Sequence, residues 1–276
     1  MPEGHTLFRL ARDLTDAFAG EPVRVSSPQG RFAGEAAELT GQVLLGAESA
    51  GKHLFVEFPG ERFIHIHLGL IGKFDIHPAP EALPIGQVRL RLANDTSYAD
   101  LRGATQCELV GPVRRDEVIA KLGPDPLRPD ADPDKAWAKL QRSGKSIGEL
   151  LMDQSVLAGV GNVYRAEVLF RHRMHPLRPA KTLRRAQWQA IWDDLVDLLA
   201  EGVRVGRIDT VRPEHTPEEM GRAPRVDDHG GEVYVYRRTG QPCHVCGSAV
   251  RTEMLAGRNL FWCPQCQPTF RSRAVK

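Results

Sequence analysis

The 276-residue sequence contains no long apolar run and only five cysteines. No apolar stretch reaches the ~18 residues that a membrane-spanning helix needs, and the first residues lack the basic and apolar regions of a signal peptide. We therefore expect a cytoplasmic protein. In that compartment, cysteines are expected to be reduced thiols or metal ligands and not disulfides. The length allows two or three compact units, each with its own hydrophobic core.

The sequence also has little net charge, +2 at pH 7, but its basic residues are unevenly distributed. Residues 165–185 and residues 233–276 each contain seven basic residues and a single acid. These basic residues are Arg165, Arg171, Arg173, Arg178, Lys181, Arg184 and Arg185, then Arg237, Arg238, Arg251, Arg258, Arg271, Arg273 and Lys276. Such clusters suit a polyanion such as DNA or RNA. A solvated basic face is an equally good interpretation of either cluster alone.

The first half of the chain changes from helical to strand periodicity. Apolar residues recur at helical spacing in residues 4–19, and Gly20 follows as a stop signal, which predicts a helix. Residues 54–67 alternate around a Pro-Gly turn, and "QVRLRLANDTSYADL" alternates around an Asn-Asp turn. Residues from about 20 to 110 are therefore expected to form one sheet packed on another.

Proline and aspartate break both periods in "LGPDPLRPDADPDKA", which predicts a linker. Beyond it, an apolar stripe that begins at Trp188 predicts a helix packed on a core. The polar, aperiodic residues 207–231 predict a long mobile loop of the kind that often has a function. The predicted organisation is an α+β chain with an N-terminal domain at 1–122, a linker at 123–134, a helical domain at 135–231 and a cysteine-rich finger at 232–276.

Four cysteines form two C-x2-C pairs separated by sixteen residues. This spacing predicts that one ion, usually zinc, is surrounded tetrahedrally by Cys243, Cys246, Cys263 and Cys266. A single pair can be redox-active, but two pairs at this spacing are typical of a closed structural site, which supplies folding energy to a segment with little core. We expect one structural zinc and no catalytic metal or organic cofactor. Cys107 stands apart and is expected to be a small buried side chain.

The stretch "GELLMDQSVLAGVGNVYRAEVLFRHRMHP" predicts a helix that ends near Gln154, a glycine-containing turn, and a second helix from Asn162. A helix start offers N–H groups at a positive end, where phosphate binds readily. A helical hairpin with a capping asparagine is the alternative. Arg258 lies between the two cysteine pairs, where it suits either a phosphate contact or a solvated hairpin tip.

This stretch resembles the helix–two-turn–helix of the formamidopyrimidine-DNA glycosylase and endonuclease VIII family. Three more motifs occur in the family's order: "MPEG" at the start, "GKHL" at 51–54, and the ending "VYRRTGQPCHVCG…GRNLFWCPQCQ". Together they span nearly the whole chain. The resemblance implies an N-terminal helix and β-sandwich, a helical domain and a zinc finger, with double-stranded DNA bound in the cleft between domains. It implies that the protein is a bifunctional glycosylase and abasic-site lyase of base excision repair. Such an enzyme is expected to associate with the nucleoid while it acts on DNA.

The resemblance also implies that Pro2 is the nucleophile. An α-amino group has a pKa of ~7.7–8.0, so it is partly neutral at pH 7, unlike lysine at ~10.4. Glu3 matches the catalytic carboxylate, expected to protonate the sugar ring oxygen, although it can also be read as an acid at a helix start. Lys52 matches a lysine that approaches the phosphate and sugar, with an ordinary turn lysine as the alternative. Attack at C1′ and β,δ-elimination then follow.

DNA binding is implied for a second group of residues. Asn162 and Arg258 match the phosphate clamp that holds the strand kinked while a nucleotide is extruded, and such contacts offset the cost of base flipping. Lys145 is a further candidate for the same role. Leu70, in "HLGLIG", matches the apolar wedge that fills the space left by the flipped nucleotide.

Two departures from the family pattern favour the endonuclease VIII-like branch, which prefers oxidised pyrimidines. Arg102 is followed by Gly103 and not by the phenylalanine of the oxidised-purine enzymes, and His5-Thr6 stands where Pro-Glu is more common. The loop at 207–231 is expected to face the flipped base.

Two histidines need a separate interpretation. His65 and His67 lie on one face of a predicted strand, without a third ligand nearby in sequence. We interpret them as strand-face or DNA-facing groups and not as metal ligands.

A non-catalytic relative that binds damaged DNA through the same clamp and finger is the alternative function. A zinc hydrolase is excluded because a four-thiolate site has no open position. Nothing in the sequence requires a dimer, so we expect a monomer. The chemistry of Pro2 requires removal of Met1, because the proline nitrogen is otherwise an amide.

Overall fold

The chain divides into two compact units, which meet in sequence between Leu122 and Gly123. The computed structural model describes residues 2–226 and 231–271. Within these residues, no helix is long and apolar enough to cross a membrane.

The first unit has a helix at each end, with the strands and one short helix between them. Its helices are α1 (Gly4–Phe18), α2 (Ala33–Leu39) and α3 (Pro112–Ala120). Its strands are β1 (Pro22–Ser26), β2 (Gln42–Val43), β3 (Gly46–Ala50), β4 (His53–Phe58), β5 (Arg62–His67), β6 (Lys73–Pro78), β7 (Val88–Ala93), β8 (Ser97–Arg102) and β9 (Gln106–Val110).

These strands form two antiparallel sheets, ordered β2-β1-β7-β8-β6 and β3-β4-β5-β9. One apolar core contains side chains of both sheets and the buried face of α1, including Leu14 and Phe18. The predicted β-sandwich with its N-terminal helix is therefore confirmed, as are both predicted hairpins. Helix α2 was not predicted, because it is short and its buried residues are only Ala36 and Leu39, too few to show a helical period.

The second unit is helical, with a two-stranded hairpin near its end. Its helices are α4 (Pro133–Arg142), α5 (Ile147–Leu150), α6 (Asn162–Arg171), α7 (Arg185–Val205) and α8 (Pro217–Met220), with short 3-10 turns at Ala180–Thr182 and Pro213–His215. The hairpin consists of β10 (Arg251–Leu255) and β11 (Arg258–Trp262). A single core contains the Trp188 stripe of α7, most of α6 and three of the four paired cysteines.

The helix predicted to end near Gln154 ends at Leu150 instead. The Gln154 side chain closes the glycine-containing turn: its Oε1 accepts from Gly159 N at 3.0 Å, and its Nε2 donates to Val160 O at 2.9 Å. Asp153 Oδ1 accepts from Ser155 N at 3.0 Å, a local side-chain bond of the kind that competes with helix continuation and that periodicity alone does not show. The predicted second helix does begin at Asn162.

The segment predicted as a linker packs against this turn. Gly123 N donates to Gln154 O at 2.8 Å, and Ala158 N donates to Pro124 O at 3.1 Å. A Cβ added at Gly123 would lie 2.3 Å from the carbonyl carbon and oxygen of Val156. Only glycine therefore allows this close approach of two backbones.

Candidate catalytic residues and nucleic-acid interface

Pro2 and Glu3 come directly before α1. Glu3 is fully buried, and its carbonyl oxygen accepts the first helical hydrogen bond, from Thr6 N at 2.9 Å. Its side chain makes no capping hydrogen bond with α1. Glu3 is thus an acid at a helix start by position, without serving as a side-chain cap. Met1, on whose removal the nucleophile hypothesis depends, lies outside the described residues.

Helix α1 runs antiparallel to β3, which fixes where the N-terminus lies. Gly20 N donates to Leu44 O at 2.8 Å, and further back along the helix the Thr15 hydroxyl accepts from Ala47 N at 2.9 Å. From Thr15, the start of α1 is about 16 Å away at 1.5 Å per helical residue. From Ala47, the end of β3 at Ala50 is about 10 Å away at 3.3 Å per strand residue, and Lys52 lies in the turn directly beyond it. The helix start and the Lys52 turn therefore lie at the same end of the sheet.

The predicted wedge lies at this end as well. His53, which follows Lys52, pairs in register with His67, which precedes the loop at 68–72. The pKa of His67 is lowered mainly by burial and to a smaller extent by the positive charge of Lys52. The structure thus places the four sequence-predicted residues of the first unit, Pro2, Glu3, Lys52 and Leu70, at one end of the sandwich.

The 68–72 loop is tightly constrained at its base and apolar at its tip. Gly69 has a φ of +69°, and its N–H donates to His67 Nδ1 at 3.2 Å. A Cβ there would lie 2.4 Å from Thr105 Cγ2. At the tip, Leu70 is 47% exposed and Ile71 is 80% exposed. Sequence reasoning missed Ile71, although the pair of apolar residues between two glycines in "HLGLIG" is a visible signal.

The backbone conformation at position 103 explains why glycine, and not an aromatic residue, follows Arg102 in this chain. Gly103 has a φ of +63°, and a Cβ there would lie 3.5 Å from Gly72 Cα and from Ile71 O. L side chains rarely adopt this conformation. The loop after β8 therefore contacts the 68–72 loop by its backbone, and Ile71 occupies the neighbouring surface.

We use the name histidine cluster for His53, His65 and His67 on β4 and β5. His53 Nδ1 lies 2.9 Å from His65 Nε2, and His65 Nδ1 lies 3.4 Å from Glu108 Oε1. Burial lowers the pKa of His53 to about 4. Burial also lowers the pKa of His65 from its usual value. The rings are therefore neutral at pH 7. Within the described residues, the histidine cluster is not among the groups that could hold a metal ion.

Asn162 and the zinc-finger hairpin are joined directly. Asn162 is 5% exposed, and its Nδ2 donates to the carbonyl oxygen of Asn259 at 3.0 Å. The residue before Asn259 is Arg258, which is half-buried at the start of β11. Because Gly161 is the N-cap of α6, the reading of Asn162 as a capping residue is wrong. Lys145 is exposed, just before the Ser146 cap of α5.

The four predicted zinc ligands come together. Their Sγ atoms all lie within 4.8 Å of one another, with Cys243 to Cys266 at 3.9 Å and Cys246 to Cys263 at 3.4 Å. Tetrahedral zinc with ~2.3 Å zinc–sulfur bonds requires sulfur separations of about 3.8 Å. The four thiols therefore fit one closed zinc site. Cys107 is a buried core residue of the first unit, as expected, and burial raises its pKa to about 12.

Sequence reasoning missed a buried carboxylate that holds the finger to α6. Glu167 is fully buried and accepts from the Thr210 hydroxyl at 2.7 Å and from three consecutive backbone N–H groups. Those groups belong to Tyr234 (2.7 Å), Val235 (2.9 Å) and Tyr236 (2.8 Å). The only signal was a single acid within a basic segment.

The described part of the 207–231 loop is held by similar contacts. Thr210 N donates to Glu232 O at 2.9 Å, and Arg222 pairs with the Glu232 carboxylate at 2.7 Å. The segment also contains the 3-10 turn at Pro213–His215 and helix α8. It is thus more structured than its polar, aperiodic sequence predicted.

Three domain models of known proteins match successive parts of the chain. The formamidopyrimidine-DNA glycosylase N-terminal domain model matches residues 1–107, the formamidopyrimidine-DNA glycosylase H2TH domain model matches 122–213, and the zinc finger found in FPG and IleRS matches 240–269. The chain belongs to the formamidopyrimidine-DNA glycosylase and endonuclease 8 family, whose members are DNA glycosylases with abasic-site lyase activity.

Its relatives cover nearly the whole chain. It is 51% identical over 274 residues to endonuclease 8 1 of Mycobacterium tuberculosis, which covers 97% of this chain and 100% of that protein. It is 31% identical to the formamidopyrimidine-DNA glycosylase of Parasynechococcus marenigrum, over 97% of this chain and 99% of that protein. The fold matches Lactococcus lactis Fpg in complex with abasic-site DNA, with a TM-score of 0.79, 24% identity, and coverage of 97% of this chain and 100% of that one.

Proposed function

We propose that this enzyme excises oxidised bases, chiefly pyrimidines, from double-stranded DNA and then cleaves the strand by β,δ-elimination through a Schiff base on Pro2. The observation that carries the proposal is the position of Pro2, Glu3, Lys52 and Leu70 at one end of the sandwich, two of them just before α1 and two in the turns beside β4 and β5. A nucleophile, an acid, a phosphate-binding cation and an apolar wedge thereby act on one nucleotide.

The proline nitrogen attacks C1′ of the damaged nucleotide, and the bond from C1′ to the base breaks. The base leaves with the bonding electrons and takes up a proton. Ring opening then gives an iminium between Pro2 and C1′, which acidifies the C2′ proton. Loss of that proton expels the 3′ phosphate, and a second elimination expels the 5′ phosphate. Hydrolysis of the remaining iminium by water returns the free amine.

Glu3 and Lys52 have separate roles in this scheme. Glu3 protonates the ring oxygen as the sugar opens, and its burial beside α1 keeps water from competing for that proton. Lys52 binds the phosphate next to the lesion, because its turn after β3 lies at the same end of the sheet as the start of α1. Both groups therefore act on the nucleotide that Pro2 attacks.

DNA is held by Asn162, Arg258 and Lys145 of the second unit, while Leu70 enters the space left by the flipped nucleotide. The four cysteines hold a structural zinc ion that takes no part in the chemistry. The preference for pyrimidines is supported by Gly103, which excludes an aromatic residue after Arg102. It is also supported by 51% identity to a protein named endonuclease 8 1. We propose that the enzyme acts as a monomer in the cytoplasm.

Reductive trapping tests the nucleophile. Incubation of the Met1-processed enzyme with abasic-site duplex and borohydride is expected to give a covalent protein–DNA adduct. Pro2→Gly and a form that retains Met1 are expected to lose most of it while still binding the duplex. Complete absence of an adduct with processed wild-type protein would favour the non-catalytic alternative. Comparison of 5-hydroxycytosine with 8-oxoguanine duplexes, at matched concentrations, tests the proposed preference for pyrimidines.

A further inference from the structure

We propose that Arg165 is a positioning residue that makes Asn162 and the Arg258 hairpin act as one phosphate-binding unit. The inference rests on the proposed function, because it takes Asn162 and Arg258 as the residues that hold the DNA backbone. Arg165 itself is 1% exposed and is one helical turn beyond Asn162 on α6. It is therefore too deeply buried to contact DNA and acts through its neighbours.

The Arg165 guanidinium connects three elements of the second unit. Its Nη2 donates to Oδ1 of Asn162 and, at 3.0 Å, to the carbonyl oxygen of Asn259 on β11. Its Nη1 lies 3.4 Å from the carbonyl oxygen of Gly148 on α5. The same Asn259 carbonyl accepts from Asn162 Nδ2 at 3.0 Å. Helix α6 and the hairpin are thus joined by a closed set of hydrogen bonds immediately next to Arg258.

This set fixes the orientation of the Asn162 amide. A guanidinium carries only donors, so the atom that faces it must be the amide oxygen and not the nitrogen. The nitrogen carries two N–H groups; one is donated to Asn259, and we assign the other to the DNA phosphate. The positive charge of the Arg165 guanidinium beside Oδ1 also polarises the amide, which makes its N–H groups stronger donors.

The branched shape of arginine is what this arrangement requires. A planar guanidinium reaches acceptors in several fixed directions at once, whereas a lysine ammonium is a compact charge on a flexible stem. Glu167, the nearest acid along α6, has its carboxylate engaged by Thr210 and by the backbone at 234–236. Arg165 is therefore stabilised by amide and carbonyl oxygens that belong to the DNA-binding elements themselves.

A double-mutant cycle tests the coupling. The variants are Asn162→Ala, Arg165→Met and the double variant, and the measurement is the Kd for a duplex that contains a tetrahydrofuran abasic-site analogue. Each single variant is expected to bind about tenfold more weakly. The double variant is expected to bind no more than about threefold more weakly than either single variant, because both changes remove the same contact. Independent effects, which multiply to about a hundredfold, would overturn the inference.

Two further variants separate positioning from a general loss of stability. Arg171→Met removes a second arginine of α6, which is partly buried and pairs with Asp194 at 2.6 Å and not with the hairpin. It is expected to lower the unfolding midpoint as Arg165→Met does, but with DNA affinity within about twofold of wild type. Arg165→Lys keeps the charge without the branched donors and is expected to bind as weakly as Arg165→Met. Equal weakening by Arg171→Met, or full recovery with lysine, would contradict a positioning role.

The outcomes also separate this inference from the proposed function. If Asn162→Ala binds the duplex as wild type does, the clamp assignment is wrong and the role of Arg165 is wrong with it. If Asn162→Ala weakens binding but its effect adds independently to that of Arg165→Met, the clamp holds and only the coupling is wrong.

Discussion

The histidine cluster of the first unit and helix α6 of the second bury polar groups in opposite ways. The histidine cluster consists of rings that burial keeps neutral, with the pKa of His53 lowered to about 4. Helix α6 buries charges and surrounds them with partners: Glu167 accepts four hydrogen bonds, and Arg171 pairs with Asp194. Although burial opposes the shift, hydrogen bonds from His172 and Arg171 lower the pKa of Asp194 to about 2.

This difference implies that the two units respond to different perturbations. Buried neutral imidazole rings destabilise the fold when mild acid protonates them. Paired carboxylates with a low pKa stay ionised at the same pH. The histidine cluster is therefore expected to make the first unit sensitive to pH, and the paired charges of α6 are expected to make the second unit sensitive to loss of a partner.

Removal of zinc is expected to have the largest effect. Zinc-finger peptides bind zinc with apparent free energies of ~10–16 kcal/mol, and their folding depends on it. Chelation, or Cys263→Ser, is expected to unfold the finger and abolish DNA binding while the near-ultraviolet spectrum of the first unit persists. Cys107→Ala is the matched control and is expected to retain one zinc per chain by elemental analysis. Undiminished DNA affinity after complete zinc loss would contradict the account.

Glu167→Ala is expected to have the next largest effect. It leaves three consecutive backbone N–H groups without their carboxylate, and breaking a buried charged network of this kind costs about 3–5 kcal/mol. Urea denaturation measures the free energy of unfolding. Glu201→Ala, which removes an exposed carboxylate paired with Arg204, is the control and is expected to leave stability unchanged. A similarly small effect of Glu167→Ala would show that its hydrogen bonds contribute little.

Mild acid is expected to destabilise the first unit. Burial lowers the pKa of both His5 and His53 from 6.5 to about 4, so the unfolded chain binds protons that the folded chain does not. The stability contributed by each neutral ring is fully present well above pH 6.5 and is lost as the pH falls towards 4. By pH 5 the loss is about 2 kcal/mol per ring. His53→Gln is expected to flatten the pH dependence of the unfolding midpoint between pH 7 and 5. An unchanged slope would show that the ring does not contribute.

The smallest effect is expected at the apolar tip of the 68–72 loop. Ile71→Ala and Leu70→Ala are each expected to weaken binding to abasic-site duplex by about tenfold, because each removes roughly 1.5 kcal/mol of apolar burial against DNA. Fluorescence anisotropy with labelled duplex measures this. Leu83→Ala, at an exposed apolar residue of the first unit outside the 68–72 loop, is the control and is expected to bind normally. A wedge role for Leu70 alone would leave Ile71→Ala unaffected.

Local patterns predicted much of the fold. Alternation predicted β4, β5, β7 and β8, and helical spacing predicted α1 and α7, because each element has one buried face with a regular period. The spacing of the cysteines predicted their convergence, since two short turns can each supply two ligands. These features depend on residues that are close in sequence.

Features that depend on distant partners were not predictable in this way. The buried position of Arg165 depends on Asn259, 94 residues further along the chain, and Glu167 depends on Thr210 and on the backbone at 234–236. In the sequence, Arg165 counted only as one of seven basic residues that suggested a solvated or DNA-binding face. Charge patterns do not show which arginine is buried.

The most direct test of the central claim is to map the site of the borohydride-trapped adduct. The account predicts that, after nuclease and protease digestion, the sugar remnant is found by mass spectrometry on the N-terminal peptide, attached to the nitrogen of Pro2. An adduct on the peptide that contains Lys52, with an unmodified N-terminus, would contradict the proposal that Pro2 is the nucleophile.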